Sequence, residues 1–389
     1  MKYLKLFLIF LRLGLTSFGG PVAHLSYLHH EFVTKRKWLS DDTYADVVAL
    51  CQFLPGPASS QVGMAIGLLH SGIRGSLVAW LGFTLPSALL LIFFALGISE
   101  LSTIDQGWIH ALKVVAVSVV GHAVYEMRKK LCPDKERIII ALVACGVAIS
   151  FNFVFTQVLI IIAAGIIGTL FLKDESELPT IDIKTNLSKN VAGFSLITFF
   201  LLLFILPLLK MIYPESIMDL VDSFYRAGSL VFGGGHVVLP LLETELVETG
   251  LVTKDLFLSG YGAAQAIPGP LFTFSAFLGA VSLQEPNGWI GGVISLVAIF
   301  LPSFLLIIGV FPFWEKVRSY SQVRFAMKGI NASVVGILLA AFYHPVWTSA
   351  ISNYVDLMLA ALGFVMLSLF KLPSWIVVLS GVVAGFIIY

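Results

Sequence analysis

Charge is scarce in this chain of 389 residues. Asp, Glu, Lys and Arg make up 12% of it, against about 25% in soluble domains. The longest polar stretch is 173–190, so no sizeable soluble domain can be carved out. A net charge of +1 offers no basic surface for nucleic acid. Cysteine is scarcer still. Cys51, Cys132 and Cys145 share no CxxC spacing, which argues against a disulfide framework or a zinc site. There is no Walker A motif and no HExxH, so ATP hydrolysis and zinc-protease chemistry are excluded. No aspartate pair is embedded in two helices, and Ser59 and Ser60 show no evident histidine partner. An intramembrane enzyme is therefore a weak reading. His24, His29, His30 and Glu31 superficially suggest a metal cluster. Helical spacing puts His24 off the face of His29 and His30, so no metal or other cofactor is expected, and a membrane-surface role beside Lys35–Lys37 is the reading for these histidines.

What is abundant is apolar. Hydrophobic residues form 58% of the chain and the mean hydropathy is +0.94, which specifies an all-α polytopic membrane protein. Clear spans run over 75–98 (with Pro86 inside), 105–127, 137–152, 154–172 and 191–212, with a tight turn at Asn152. The N-terminal run resembles a signal peptide but lacks an A-x-A site, and it has an internal echo, so it reads as mature chain. A first segment over 3–19 and an amphipathic helix over 21–34 precede a helix that Ser40 and Asp41 cap and that runs to Leu54.

That helix breaks at Pro55-Gly56-Pro57, and a second break stands at Pro268-Gly269-Pro270. Proline lacks a donor N–H and disfavours helix in the residue before it. Freed backbone groups are costly in a bilayer, so such breaks persist where protein or trapped water satisfies them. The two breaks belong to a longer echo. Arg226, Gly228, Phe232, Gly233 and Gly234 lie 214 residues after Arg12, Gly14, Phe18, Gly19 and Gly20; Gln265, Pro268, Gly269 and Pro270 lie 213 after Gln52, Pro55, Gly56 and Pro57. Leu301-Pro302-Ser303 follows Leu85-Pro86-Ser87 at 216, and Lys328 follows Lys113 at 215. The chain is thus a tandem duplication: a first repeat over 1–172, a linker and extra span over 173–212, and a second repeat over 213–389. Paired broken helices in corresponding positions point to a transporter's substrate site.

Basic loops at 35–37, 128–137, 173–189 and 314–328 fall on one side if the N-terminus is cytoplasmic. Residues 98–105, with Glu100 and Asp105, and the acidic stretch 214–250 fall on the other. The extra span then inverts the second repeat. The broken segments either re-enter as hairpins, giving about nine spans plus four hairpins, or cross fully, giving about thirteen spans.

Phe-Gly-Gly-Pro at 18–21, Lys35 to Trp38, Gln-Phe-Leu-Pro-Gly-Pro at 52–57, and the echoes Phe-Gly-Gly-Gly-His at 232–236 and Gln-Ala-Ile-Pro-Gly-Pro at 265–270 resemble the chromate ion transporter family in its long, two-domain form. The resemblance covers nearly the whole chain. It implies a bacterial inner-membrane protein that exports chromate, driven by the proton-motive force, and confers chromate resistance. Sulfate, an isosteric dianion, is the expected competitor. Composition does not choose between a monomer and a homodimer.

A tetrahedral dianion inside a bilayer needs donors, and helix N-termini supply them. Helices restart after Gly20, Pro57, Gly234 and Pro270, and these starts are expected to face each other near the midplane. Ser59, Ser60 and Gln61 follow the first break and Thr273 the second, as contacts for the anion; the alternative is that the hydroxyls bond their own helix backbones. The first break should supply most polar contacts, the second mainly shape and dipole. Gln52 and Gln265 either donate to the anion or satisfy carbonyls freed by proline. Arg12, Arg226, Lys113 and Lys328 are charges within apolar helices, either anion ligands or snorkelling side chains. Glu31, Asp46, Glu243, Glu245 and the histidines are the candidates for proton coupling.

Overall fold

Ser40 opens its helix as the sequence predicts, its hydroxyl accepting from Thr43 N at 3.1 Å and so satisfying one orphan donor of the first turn. The computed structural model describes residues 2–101, 107–151, 156–172, 187–214 and 216–389, and all regular structure among them is helical. The turn at Asn152, Asp105, the side chain of Glu100 and residues 173–186 of the linker lie outside the described residues.

The first half comprises α1 (Lys2–Thr16), α2 (Pro21–His29, continued by a π turn His30–Lys35), α3 (Asp41–Phe53), α4 (Ala58–Leu101), α5 (Gly107–Leu131), α6 (Lys135–Ser150) and α7 (Thr156–Phe171). α4 is interrupted at Ser71–Gly72, where Gly72 has φ +69°. The extra span is α8 (Lys189–Ile212). The second half runs α9 (Ile217–Leu230), α10 (Val238–Leu246), α11 (Lys254–Ala264), α12 (Phe274–Ala280), α13 (Gly288–Val310), α14 (Trp314–Ser319), α15 (Ser321–Ala341), α16 (Thr348–Ala350), α17 (Tyr354–Ser368) and α18 (Ser374–Ile388). By length and composition, 58–98, 107–131, 189–212, 288–319 and 321–350 can cross a membrane.

The broken segments fold back on themselves. Arg12 and Glu31 are 19 residues apart, about 28 Å along a continuous helix, yet their side chains meet at 2.5 Å. Phe10 and Phe32 stack beside them with centroids 5.1 Å apart. The equivalent pair in the second half, Arg226 and Glu245, meets at 3.4 Å. The feet of the next hairpin are joined by Trp38 stacked on His70, centroids 3.8 Å apart. Their equivalents 213 residues on, Leu251 and Leu283, share a backbone hydrogen bond of 2.9 Å. The chain therefore reverses direction at all four breaks.

The halves interlock. α13 and the part of α4 beyond its kink occupy equivalent places in the two halves, and they pack antiparallel. Trp80 meets Phe300 and Phe304 at one end (5.6 and 5.4 Å between centroids), and Phe93 meets Trp289 at the other (5.0 Å). α15 packs on α6 and α7, while its equivalent α5 packs on α17 and α18, so each half covers the other's long helix. α8 packs on α9 and α13 and leaves Phe194, Ile197 and Phe204 exposed, an apolar face suited to lipid tails.

Candidate functional site

The backbone at each Pro-Gly-Pro is satisfied by the opposite half. Gly56 N donates to Val231 O at 2.7 Å, and Gly269 N donates to Ser17 O at 3.0 Å. Donors and acceptors in these two bonds are repeat equivalents, so the contact is a reciprocal exchange between hairpin tips. Both glycines sit in the left-handed region, φ +118° and +111°. A Cβ there would lie 2.5 Å from Ser303 Oγ and 2.7 Å from Ser87 Oγ respectively, and only glycine tolerates both demands.

Between the four tips lies a cavity of about 30 Å³, bordered by Gly20, His24, Ser59, Gly235, Gln265 and Leu271 among others. That is room for two or three water-sized groups, so a four-oxygen anion enters only as the tips move apart, sheds its hydration shell and must find donors in the wall. Among the described residues no Lys, Arg, Asp or Glu borders it. A second cavity, about 230 Å³, lies away from the tips and is flanked by Glu243 and Glu248; paired carboxylates suit a dianion poorly, and the smaller cavity fits the chemistry better.

Ser59 reaches the cavity wall from the first turn of α4, where N–H groups have no intrahelical partner. Its Oγ is 3.3 Å from His24 Nδ1. His24 Nε2 stands 3.2 Å from Ser17 O. A carbonyl only accepts, so Nε2 carries the proton and Nδ1 is the acceptor for the Ser59 hydroxyl. This overturns two expectations. His24 is 2% exposed at the centre of the protein, not at a membrane surface, and Ser59 does have a histidine partner. His29 behaves differently: its Nε2 pairs with Asp41 at 2.7 Å on the exposed side. Across the cavity, His236 Nδ1 is 2.8 Å from Tyr261 OH. Among the described residues no group of three His, Cys, Asp or Glu could hold a metal.

Gln265 borders the cavity, and its Nε2 is a buried donor with no protein partner. Ser60 Oγ is likewise buried and unpartnered. Gln61 points elsewhere: its Nε2 donates to Pro55 O at 2.7 Å and to Ser303 Oγ at 3.3 Å, repairing the carbonyl that proline frees. Thr273 Oγ1 donates to Pro270 O at 2.7 Å. Neither residue borders the cavity, and Gln52 is exposed one turn before its break. The second-half restarts also differ from the expected pair of dipoles. Gly235–Val237 and Leu271–Thr273 are 3₁₀ turns, and α12 after the latter has only seven residues.

The intramembrane charges are engaged with each other, not with the cavity. Arg12 pairs with Glu31, which also takes Arg36 at 2.7 Å and Lys35 at 3.5 Å. Arg226 pairs with Asp222 and Glu245, and Lys113 with Asp255 at 2.8 Å. Asp46 accepts from Arg318 and from Trp314 Nε1, tying α3 to α14, and leaves Oδ2 buried without a partner. Lys328 is half-buried on α15, away from the cavity wall. In place of the expected anion, Arg12, Arg226 and Lys113 meet carboxylates that the sequence holds 19–142 residues away or on the same helix. Matching offsets had placed Glu31 and Glu245 alike; which cation each would meet needed the fold-back.

Fold and site together define an all-helical, multi-pass membrane protein with a small polar cavity enclosed by broken helices. It belongs to the chromate transporter family, whose profile matches residues 4–169 and 218–386. An uncharacterized transporter of Methanocaldococcus jannaschii is 27% identical over 99% of this chain and 94% of its own length. The chromate transport protein of Pseudomonas aeruginosa is 27% identical over 100% of this chain and 93% of its own. That of Cupriavidus metallidurans is 26% identical over 99% and 93%. No solved structure matches.

Proposed function

We propose that this chain is a secondary transporter that exports chromate across the bacterial inner membrane, drawing on the proton-motive force and so giving chromate resistance. The observation that carries the reading is the meeting of four hairpin tips around one uncharged, donor-bearing cavity. The names of full-length relatives supply chromate as the anion, and sulfate shares its shape and charge. Ser59 Oγ, Gln265 Nε2 and the free N–H groups of the first turn of α4 bind the oxyanion. Gly19, Gly20, Gly233, Gly234 and the two Pro-Gly-Pro breaks shape the tips.

The repeats (1–172 and 213–389) are inverted in the membrane, with 173–212 as linker and flipping span. Antiparallel packing of α13 on α4 supports this, and the basic loops favour a cytoplasmic N-terminus. Both halves lie in one chain, so a monomer holds a complete cavity. The Ser59–His24 pair also meets one requirement of a nucleophilic hydrolase; labelling of Ser59 by a fluorophosphonate would favour that reading. The transport reading is tested with radiolabelled chromate and sulfate in inverted vesicles, with and without an imposed proton gradient. Saturable chromate accumulation that sulfate competes for is expected. No movement of either anion under any gradient contradicts it.

A further inference from the structure

The cavity poses an electrostatic difficulty. A dianion stripped of water there meets no fixed cation, and burying an uncompensated charge is costly. Its titratable wall residues are His24 and His236. Of these, His24 has a defined hydrogen-bond polarity, fixed by Ser17 O behind it. With Nδ1 accepting, Ser59 donates its only proton to the histidine, and its lone pairs are left for the cavity, the wrong polarity for an anion.

We propose that His24 takes up one proton together with the anion, and that this proton turns the Ser59 hydroxyl from His24 to the anion. The proposal rests on the transport reading above. The step balances simply. A proton from solution binds Nδ1, giving an imidazolium that keeps its Nε2–H on Ser17 O. Nδ1–H now donates to Ser59 Oγ. The serine O–H, released, rotates to donate into the cavity, beside the unpartnered Gln265 Nε2. The dianion gains a cation and a second donor at once, and the loaded site carries a net charge of −1, so outward movement of the pair is driven by the membrane potential, the electrical part of the proton-motive force.

The surroundings of His24 leave it the natural proton acceptor. Ser17 faces it from the end of α1, Ser59 from α4 and Phe83 edge-on at 5.6 Å from the second part of α4. The second half presents Gln265 and His236 across the cavity, the latter held by Tyr261. His122 on α5 lies within electrostatic reach of His236. Among the described residues no carboxylate in the cavity wall competes for the proton.

The test is made on the purified full chain in lipid nanodiscs. Binding of sulfate, which stays a dianion throughout, is titrated from pH 5 to 8, chromate binding is compared at pH 8, and proton uptake on sulfate addition is read with a pH dye in weak buffer. The wild type is expected to take up about one proton per anion, and its affinity to rise by up to about tenfold per unit fall in pH. His24→Asn keeps a donor amide facing Ser59 but does not titrate. It should bind with affinity flat across this pH range and with no proton uptake. His236→Gln alters the cavity wall and should shift the affinity, but should keep the proton uptake and its pH slope. Ser59→Ala should bind more weakly while still taking up the proton. Anion binding by the wild type without proton uptake overturns the proposal, as does uptake lost with His236 and kept in folded His24→Asn. Absence of any oxyanion binding at every pH overturns the transport reading as well.

Discussion

Ser59, Gln265 and Thr273 are three polar side chains next to the breaks, and they separate by where their hydrogen bonds go. Thr273 donates to the carbonyl of its own break, so Thr273→Ala should cost about 1 kcal/mol of stability and leave chromate flux within about twofold of wild type. Ser59→Ala and Gln265→Ala each remove a donor to an anion, worth about 1.5–3 kcal/mol, and should each lower flux by about ten- to a hundredfold in proteoliposomes. Gly56→Ala and Gly269→Ala add a side chain to a left-handed residue already in contact with Ser303 or Ser87. Each should lower stability by about 1–3 kcal/mol from backbone strain plus the clash, read as a loss of thermal stability in detergent. The breaks and Ser59 were legible in the sequence because proline, glycine and a first-turn hydroxyl act locally. The histidines stood among the proton-coupling candidates, but the place of His24 was not legible, because its partner is 35 residues away on another hairpin, and helical spacing speaks only of residues on one helix. Gln61 and Ser59 look alike in sequence; their divergence follows from Pro55 O, a carbonyl whose need appears only once the tip is folded.

Hairpin arms are held together by ion pairs at matching places, but the two copies differ in burial. Glu31 has Arg36 and Lys35 in reserve, and Arg12 is half exposed. Arg226 is 14% exposed and serves both Asp222 and Glu245, each almost fully buried. Removing one partner of a buried pair leaves an uncompensated charge, at about 3–5 kcal/mol. Arg226→Met should therefore destabilise by about that much, and Arg12→Met by about 1 kcal/mol or less, measured by thermal unfolding in the same detergent. Charge inside an apolar helix announced that these residues matter. It did not announce whether the partner is a ligand or a carboxylate on the returning arm, since that depends on the reversal of the chain.

Across the whole molecule, the duplication was legible as constant offsets, and the interlocking of halves was not. Offsets are silent on which helices touch, and α5 and α15 exchange their coverings through contacts at least 150 residues apart in sequence. Fold-back at the breaks makes a direct topological prediction. In a background without Cys51, Cys132 and Cys145, single cysteines replacing Trp38 and His70 should be labelled by an impermeant maleimide from one face of the membrane. Cysteines replacing the exposed Thr253 and Leu283 should be labelled together from the other. Labelling of Trp38 and His70 positions from opposite faces would mean full crossing. The central claim is that the cavity between the four tips is where the oxyanion binds. Its most direct measurement is chromate flux through proteoliposomes bearing the Ser59→Ala, Gln265→Ala double variant, with protein content and orientation matched to wild type. A fall of at least about a hundredfold, in line with two lost donors, is the predicted result; flux equal to wild type in the folded double variant would contradict it.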